Sequence, residues 1–238
     1  MKIPRPLRHR SPIATSIWLI LGLVIAGGCE QDAGTSAERS AETTAEATAT
    51  AGADPTTDTG PLQAVVTTPG GSFTIQFRPD VAPIACASFV NLVQRGFFDG
   101  LLFYRHSTVI RQAGNPHNDA DRRWNCGYTI APEFSPDLRF DRGGLVALVK
   151  LTDDDASPVR PNEFFVTVKP QSERFTFKFP AFAEVVDGMD VVLGIAENDR
   201  IDTIRLVGDP RSILEPHADL VASWNAALDA MPDPRDAG

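Results

Sequence analysis

The chain divides sharply at Gly60. From Glu30 to Gly60 there is no Leu, Ile, Val, Met or aromatic residue, and eight Ala, eight Thr and seven acids fill most of these 31 positions. Such a stretch cannot bury enough apolar surface to offset the entropy lost on ordering, so it reads as a tether. As a flexible coil it reaches about 30 Å, from ~5–6 Å times the square root of its length. All 14 Phe residues, by contrast, lie between Phe73 and Phe182. The folded body therefore begins after the tether and is built around that span.

The segment before the tether reads basic (Lys2 to Arg10), then apolar (Ile13 to Ala26), then small (Gly27-Gly28-Cys29). That is the order of a signal peptide, and the apolar run is shorter than the about 20 residues a membrane-spanning helix needs. Ile25-Ala26-Gly27-Gly28-Cys29 resembles a bacterial lipobox. The resemblance implies cleavage before Cys29 and acylation of that residue, and several acyl chains anchor stably where one is marginal. An ordinary secretory leader or an uncleaved anchor is the alternative. Glu30 differs from the Asp of inner-membrane retention, so the expected location is a bacterial envelope, periplasm-facing, with the outer membrane favoured. The expected organisation is a leader at 1–28, a tether at 29–60, a folded domain at 61–209 and a helical extension at 210–238.

Charge narrows the partners. The chain holds 22 Lys+Arg against 31 Asp+Glu, a net −9. Loss of residues 1–28 would remove Lys2, Arg5, Arg8 and Arg10 and no acid, leaving 18 bases against 31 acids, or −13. Phosphate backbones are bound by clustered Lys and Arg, so nucleic acid is not an expected partner.

Within the body, Phe73, Ile75 and Phe77 alternate with Ser72, Thr74, Gln76 and Arg78, which predicts a half-buried strand. Leu62 to Thr67 precedes it, and Thr68-Pro69-Gly70-Gly71 reads as a hairpin turn. Asp80 as a cap, Pro83 in the first turn and Gly96 past the end predict a helix with Ile84, Phe89, Leu92 and Val93 on its buried face. Further strands are expected at Leu101–Arg105, Leu145–Lys150, Glu163–Val168, Phe182–Val186 and Thr203–Val207, and a short helix at Met189–Ala196. Many short strands with two helices suggest a closed barrel, since closure removes exposed edges. Pro216–Ala230 predicts a second amphipathic helix, its apolar side carrying Leu220, Val221, Trp224 and Leu228. That side packs on its own domain or, alternatively, docks a partner.

The residues in order resemble the cyclophilin-type peptidyl-prolyl isomerases. The matches include Gly71-Ser72-Phe73-Thr74-Ile75, Phe89-Val90-Asn91-Leu92-Val93, Gly96-Phe97-Phe98-Asp99-Gly100 and Phe103-Tyr104-Arg105. They continue through Gln112-Ala113-Gly114-Asn115-Pro116, Asp141-Arg142-Gly143-Gly144-Leu145, Glu163-Phe164-Phe165-Val166-Thr167 and Val185-Val186-Asp187-Gly188-Met189. The resemblance implies a mainly β fold, an eight-stranded antiparallel barrel capped by two helices, with a substrate groove on one outer face. It also implies Pro-containing polypeptides as substrates and no cofactor.

By position, Arg105 matches the family's catalytic arginine, Gln112 the glutamine that orients it, and Phe165 an aromatic wall of the proline slot. Val109 and Ile110 stand where Phe and Met usually line the slot. Glu163 replaces a glutamine and could clamp Arg105 by charge, since an ionised carboxylate only accepts hydrogen bonds. Val149-Lys150 replace Ala-Asn, and Phe179 falls at the place of a substrate-facing His. Arg105 and Gln112 are one residue closer in sequence than in the family. A groove altered in this way leaves a second reading, a module that binds Pro-containing segments or scaffolds a partner without turning them over.

Other clusters are weaker. His106, His117, Asp119 and Asp121 match no metal-ligand spacing, and Asp153-Asp154-Asp155 lacks the Gly and terminal Glu of a calcium loop. Cys86 and Cys126 could bridge in an oxidising compartment. Two separate buried thiols are the other reading.

Overall fold

Side-chain alternation along each strand sets which face of the sheet a residue serves; Ile110–Ala113 and Val159–Thr167 are buried on both faces, whereas Gln63–Thr68 and Gly71–Phe77 bury one. The structure, a computed structural model, describes residues 60–122 and 124–237. Cys29, the lipobox and the tether up to residue 59 lie outside the described residues. Eight strands form one antiparallel sheet: β1 (Gln63–Thr68), β2 (Gly71–Phe77), β3 (Arg105–His106), β4 (Ile110–Ala113), β5 (Leu145–Lys150), β6 (Val159–Thr167), β7 (Ala181–Asp187) and β8 (Thr203–Val207). Their order is β3-β4-β6-β5-β7-β2-β1-β8. The expected strand at Leu101–Arg105 is regular only at its end. Leu102 makes a single antiparallel bridge with Arg200, and backbone bonds join Phe103 N to Asp199 O, Ile201 N to Leu101 O and Asn198 N to Phe103 O. These bonds tie the segment leading into β3 to the segment leading into β8, and so curl the sheet towards closure.

Among the described residues five α-helices accompany the sheet: α1 (Pro83–Gln94), α2 (Ser172–Phe175), α3 (Met189–Gly194), α4 (Arg211–Leu214) and α5 (Ala218–Ala230). Asp80 does not cap α1. It pairs instead with Arg78 at 2.8 Å. The first amides of α1 are satisfied from a distant loop, where the Glu133 carboxylate accepts from Ile84 N at 3.2 Å and Ala85 N at 2.8 Å. A negative charge there also suits the positive end of the helix dipole.

Helix α1 is buried along Ala85–Val93, more than an amphipathic helix on a sheet would be. One side meets the inner core, where Phe89 lies 4.7 Å from Phe98, 5.0 Å from Phe182 and edge-on to Phe164 at 5.3 Å. The other side is covered from the loop before β5 and from the C-terminal extension. Ser88 Oγ bonds Tyr128 Oη at 2.9 Å, and Asn91 Nδ2 donates to Asn225 Oδ1 at 3.0 Å. Trp224 on α5 stacks on Tyr128 at 5.4 Å. Gly127 lets the helix approach this closely, because a Cβ there would lie 2.8 Å from Ala227 O. Past α5, Arg235 reaches back over the Phe97 ring and donates to Phe97 O at 3.1 Å. Trp224 is buried, and Val221 and Leu228 pack partly buried beside it, so this part of the Pro216–Ala230 face lies on its own domain, while Leu220 stays exposed.

Cys86 and Cys126 are separate buried thiols. Cys86 Sγ contacts Phe182 O at 3.3 Å, and burial pushes its pKa up. Burial pushes Cys126 up to about 11.

Candidate active site

Consecutive residues of β6 point to opposite faces. Phe164 enters the core beneath α1, and Phe165 enters a second apolar cluster with Ile110, Leu138, Phe140, Leu145, Ala147, Phe175 and Ala181. The register sets Arg105 of β3 opposite Gln112 of β4, Gln112 opposite Phe165 of β6, and Phe165 opposite Ala147 of β5. One transverse row therefore runs cation, amide, aromatic ring and small residue. The small end leaves room above the sheet, and rings from the chain beyond β6 frame it. Phe165 meets Phe175 at 5.7 Å and Phe179 at 5.2 Å, both edge-on.

The result is a hollow of about 290 Å³ lined by Arg105, Ser107, Val109, Ile110, Gln112, Val149, Phe165, Arg174, Phe175 and Phe179. Of the residues expected at the slot, Arg105, Gln112, Phe165, Val109, Ile110 and Phe179 come together here. Lys150 and Glu163 do not line it. Lys150 is buried, donates to Asp154 O at 2.8 Å and sits 5.9 Å from the Phe179 ring centroid, so it braces that ring. Glu163 is covered by Tyr104 and Arg160. Sequence reasoning missed Ser107, Arg174 and Phe175. Ser107 Oγ accepts from Val109 N at 3.2 Å and Ile110 N at 3.1 Å, which closes the shortened β3–β4 turn.

Arg105 is exposed along part of its length, and its Nη1 donates to Gln112 Oε1 at 3.2 Å. Gln112 Nε2 donates to Tyr104 Oη at 2.5 Å, and Tyr104 Oη donates to Glu163 Oε2 at 3.2 Å. Arg160 Nη1 lies 3.4 Å from the same carboxylate oxygen. The expected direct clamp of Arg105 by Glu163 is thus replaced by a relay through two intervening side chains. The relay has a direction. Burial, and then the Glu163 charge, push the Tyr104 phenol up, so it stays protonated and donates a hydrogen bond to the carboxylate. Its lone pair then accepts from the Gln112 amide nitrogen. The Gln112 carbonyl is left facing Arg105, which an arginine, having donors alone, requires.

Behind the row, Gly114 carries the chain past β6 with φ +100°, and a Cβ there would sit 1.9 Å from Asn162 O. That close approach keeps β4 and β6 in step.

The family model described as cyclophilin type peptidyl-prolyl cis-trans isomerase/CLD matches residues 63–212. The chain belongs to that family. Among curated relatives, peptidyl-prolyl cis-trans isomerase-like 1 of Rhizopus delemar is 29% identical over 150 residues, covering 61% of this chain and 87% of that protein. Peptidyl-prolyl cis-trans isomerase B of Bacillus subtilis is 25% identical over 140 residues, covering 58% of this chain and 93% of that protein. A Cryptosporidium parvum cyclophilin type isomerase structure superposes with a TM-score of 0.56 at 18% identity, covering 62% of this chain and 98% of that one. This last likeness supports the cyclophilin fold, and the sequence relatives place the chain among isomerases.

Proposed function

We propose that this cyclophilin accelerates cis-trans isomerisation of X-Pro bonds in exported polypeptides, tethered by a lipidated Cys29 to a bacterial envelope membrane. Rotation about the bond breaks no covalent link, but the loss of amide resonance sets a barrier of ~18–20 kcal/mol. The two forms differ by only about 0.5–1 kcal/mol before proline, so both are populated and slow to exchange. A catalyst needs an apolar hold on the pyrrolidine ring and a donor for the nitrogen, whose lone pair returns as the bond twists. Phe165, Phe175, Phe179, Val109, Ile110 and Val149 supply the hold. Arg105, whose guanidinium presents a fixed fork of donors, supplies the donor. The observation that carries this reading is that Arg105 borders the same hollow as those rings while Gln112 fixes its guanidinium. An X-Pro isomerisation assay on the full chain tests it. Saturable acceleration over the uncatalysed rate supports the reading, and the uncatalysed rate alone overturns it.

The relay gives a second expectation. Glu163→Gln allows position 163 to donate to Tyr104, which reverses the hydroxyl, turns the Gln112 amide and presents an NH2 group to Arg105. It also strips Arg160 of its counter-charge. The expected loss is about tenfold in kcat/KM, the scale of one hydrogen bond in the reacting array. A rate at or above wild type would show that Glu163 does not orient the arginine.

The envelope location rests on the order of residues 1–29 and on the tether that follows. Cys29→Ala is expected to abolish incorporation of labelled fatty acid and to release the protein from the membrane fraction. Retention of both would exclude Cys29 as the anchor.

A further inference from the structure

The hollow carries a cation that the isomerisation itself does not use. Arg174 sits on α2 (Ser172–Phe175) and lines the hollow together with Arg105. Its backbone is held on both sides. Gln171 N donates to Phe140 O at 2.6 Å, Phe140 N donates to Thr176 Oγ1 at 3.3 Å, and the adjacent Phe175 is wedged between Phe140 and Phe165. The Arg174 side chain is exposed, and among the described residues no carboxylate lies within ion-pair distance of it. Lys178, three residues after the end of α2, differs in this respect, since it pairs with Asp155 at 3.1 Å. Among the described residues no Asp or Glu lines the hollow. In a chain of net charge −9, the described lining of the apolar slot thus holds two guanidinium groups and no acid.

We propose that Arg174 is a specificity-determining residue, and that the groove prefers proline segments with an Asp or Glu next to the proline. The inference rests on the groove being the proline site. Two arginines lining one hollow lower the energy of a carboxylate there and raise that of an ammonium. The planar fork of Arg174 suits a carboxylate better than a lysine would. Because the pair is exposed to solvent, the expected discrimination is modest, about three- to fivefold in dissociation constant between Glu and its neutral isostere Gln. It should shrink as salt is raised, since exposed charges are screened.

The test titrates the full chain with capped tetrapeptides Ala-X-Pro-Ala and Ala-Pro-X-Ala, where X is Glu, Gln or Lys. Binding is read by calorimetry or chemical shift, so a catalytically silent groove still returns a result. The Glu peptide of at least one series is expected to bind tightest and the Lys peptide weakest. Arg174→Gln, an exposed change that leaves packing intact, should bring the Glu/Gln ratio to within twofold of unity. Equal affinities for Glu and Gln in both series, or a ratio that survives Arg174→Gln, would overturn the assignment while leaving the proline site standing. Failure to bind any of the peptides would overturn both together.

Discussion

Arg105→Ala is expected to lower kcat/KM for X-Pro isomerisation by ~10²–10³-fold, or about 2.7–4 kcal/mol of transition-state stabilisation, the usual loss for one preorganised donor. The effect should fall mainly on kcat, because the hollow that grips the ring is built from other side chains. The fold should tolerate the change. Arg105 is exposed, stands on a two-residue strand and is tied by its side chain to Gln112. The measurement is a comparison of wild type and variant on one Pro peptide, with thermal melts as a control. Equal rates at equal stability would remove the arginine from the chemistry and leave a groove that only binds.

Gly114→Ala addresses the scaffold beneath that arginine. The new methyl would meet Asn162 O at 1.9 Å and Glu163 Cα at 3.1 Å, both backbone atoms of a nine-residue buried strand. No side-chain rotation relieves such a contact, and φ +100° is itself unfavourable for alanine. Either β4 separates from β6, breaking the row that aligns Gln112 with Phe165, or the segment refolds. We expect a cost above ~4 kcal/mol, a fall in Tm of more than roughly 8 °C for a domain of this size. Thermal denaturation followed by circular dichroism reads it directly. A Tm within a degree or two of wild type would mean that the two strands part freely, and the rigid alignment claimed for the site would fail with it.

What could be read in the residues alone followed the range of the interactions involved. β5 and β8 have the bounds expected of Leu145–Lys150 and Thr203–Val207, because a buried or alternating strand writes its pattern locally. The slot residues Arg105, Gln112 and Phe165 were legible through the order of the family's motifs, and the register then aligns them in one row. β4 was not legible, since Ile110–Ala113 is four residues long and buried on both faces, with Arg111 among them. Nor was the cap of α1, where Glu133 acts from 49 positions away. Arg174 escaped notice for a related reason. Nothing in a short Ser-Glu-Arg-Phe turn announces which opening its arginine will border; that depends on Phe175 being held by Phe140 and Phe165. Charge alone suggests a direct Arg105–Glu163 clamp, but the side chain of Tyr104 stands between Glu163 and Gln112.

The strand order also dictates when the head can fold. β1 pairs on one side with β2, a few residues on, but on the other with β8, so that Gln63 faces Val207 across the sheet. The covering of α1 waits longer still, for Trp224 and Asn225. A chain emerging amino end first from a ribosome or a secretion pore can form the β1–β2 hairpin early, but must hold the free edge of β1 open until nearly its last residues are out. Such high contact order belongs to slow folders. If Cys29 is lipidated as proposed, attachment comes early and folding late.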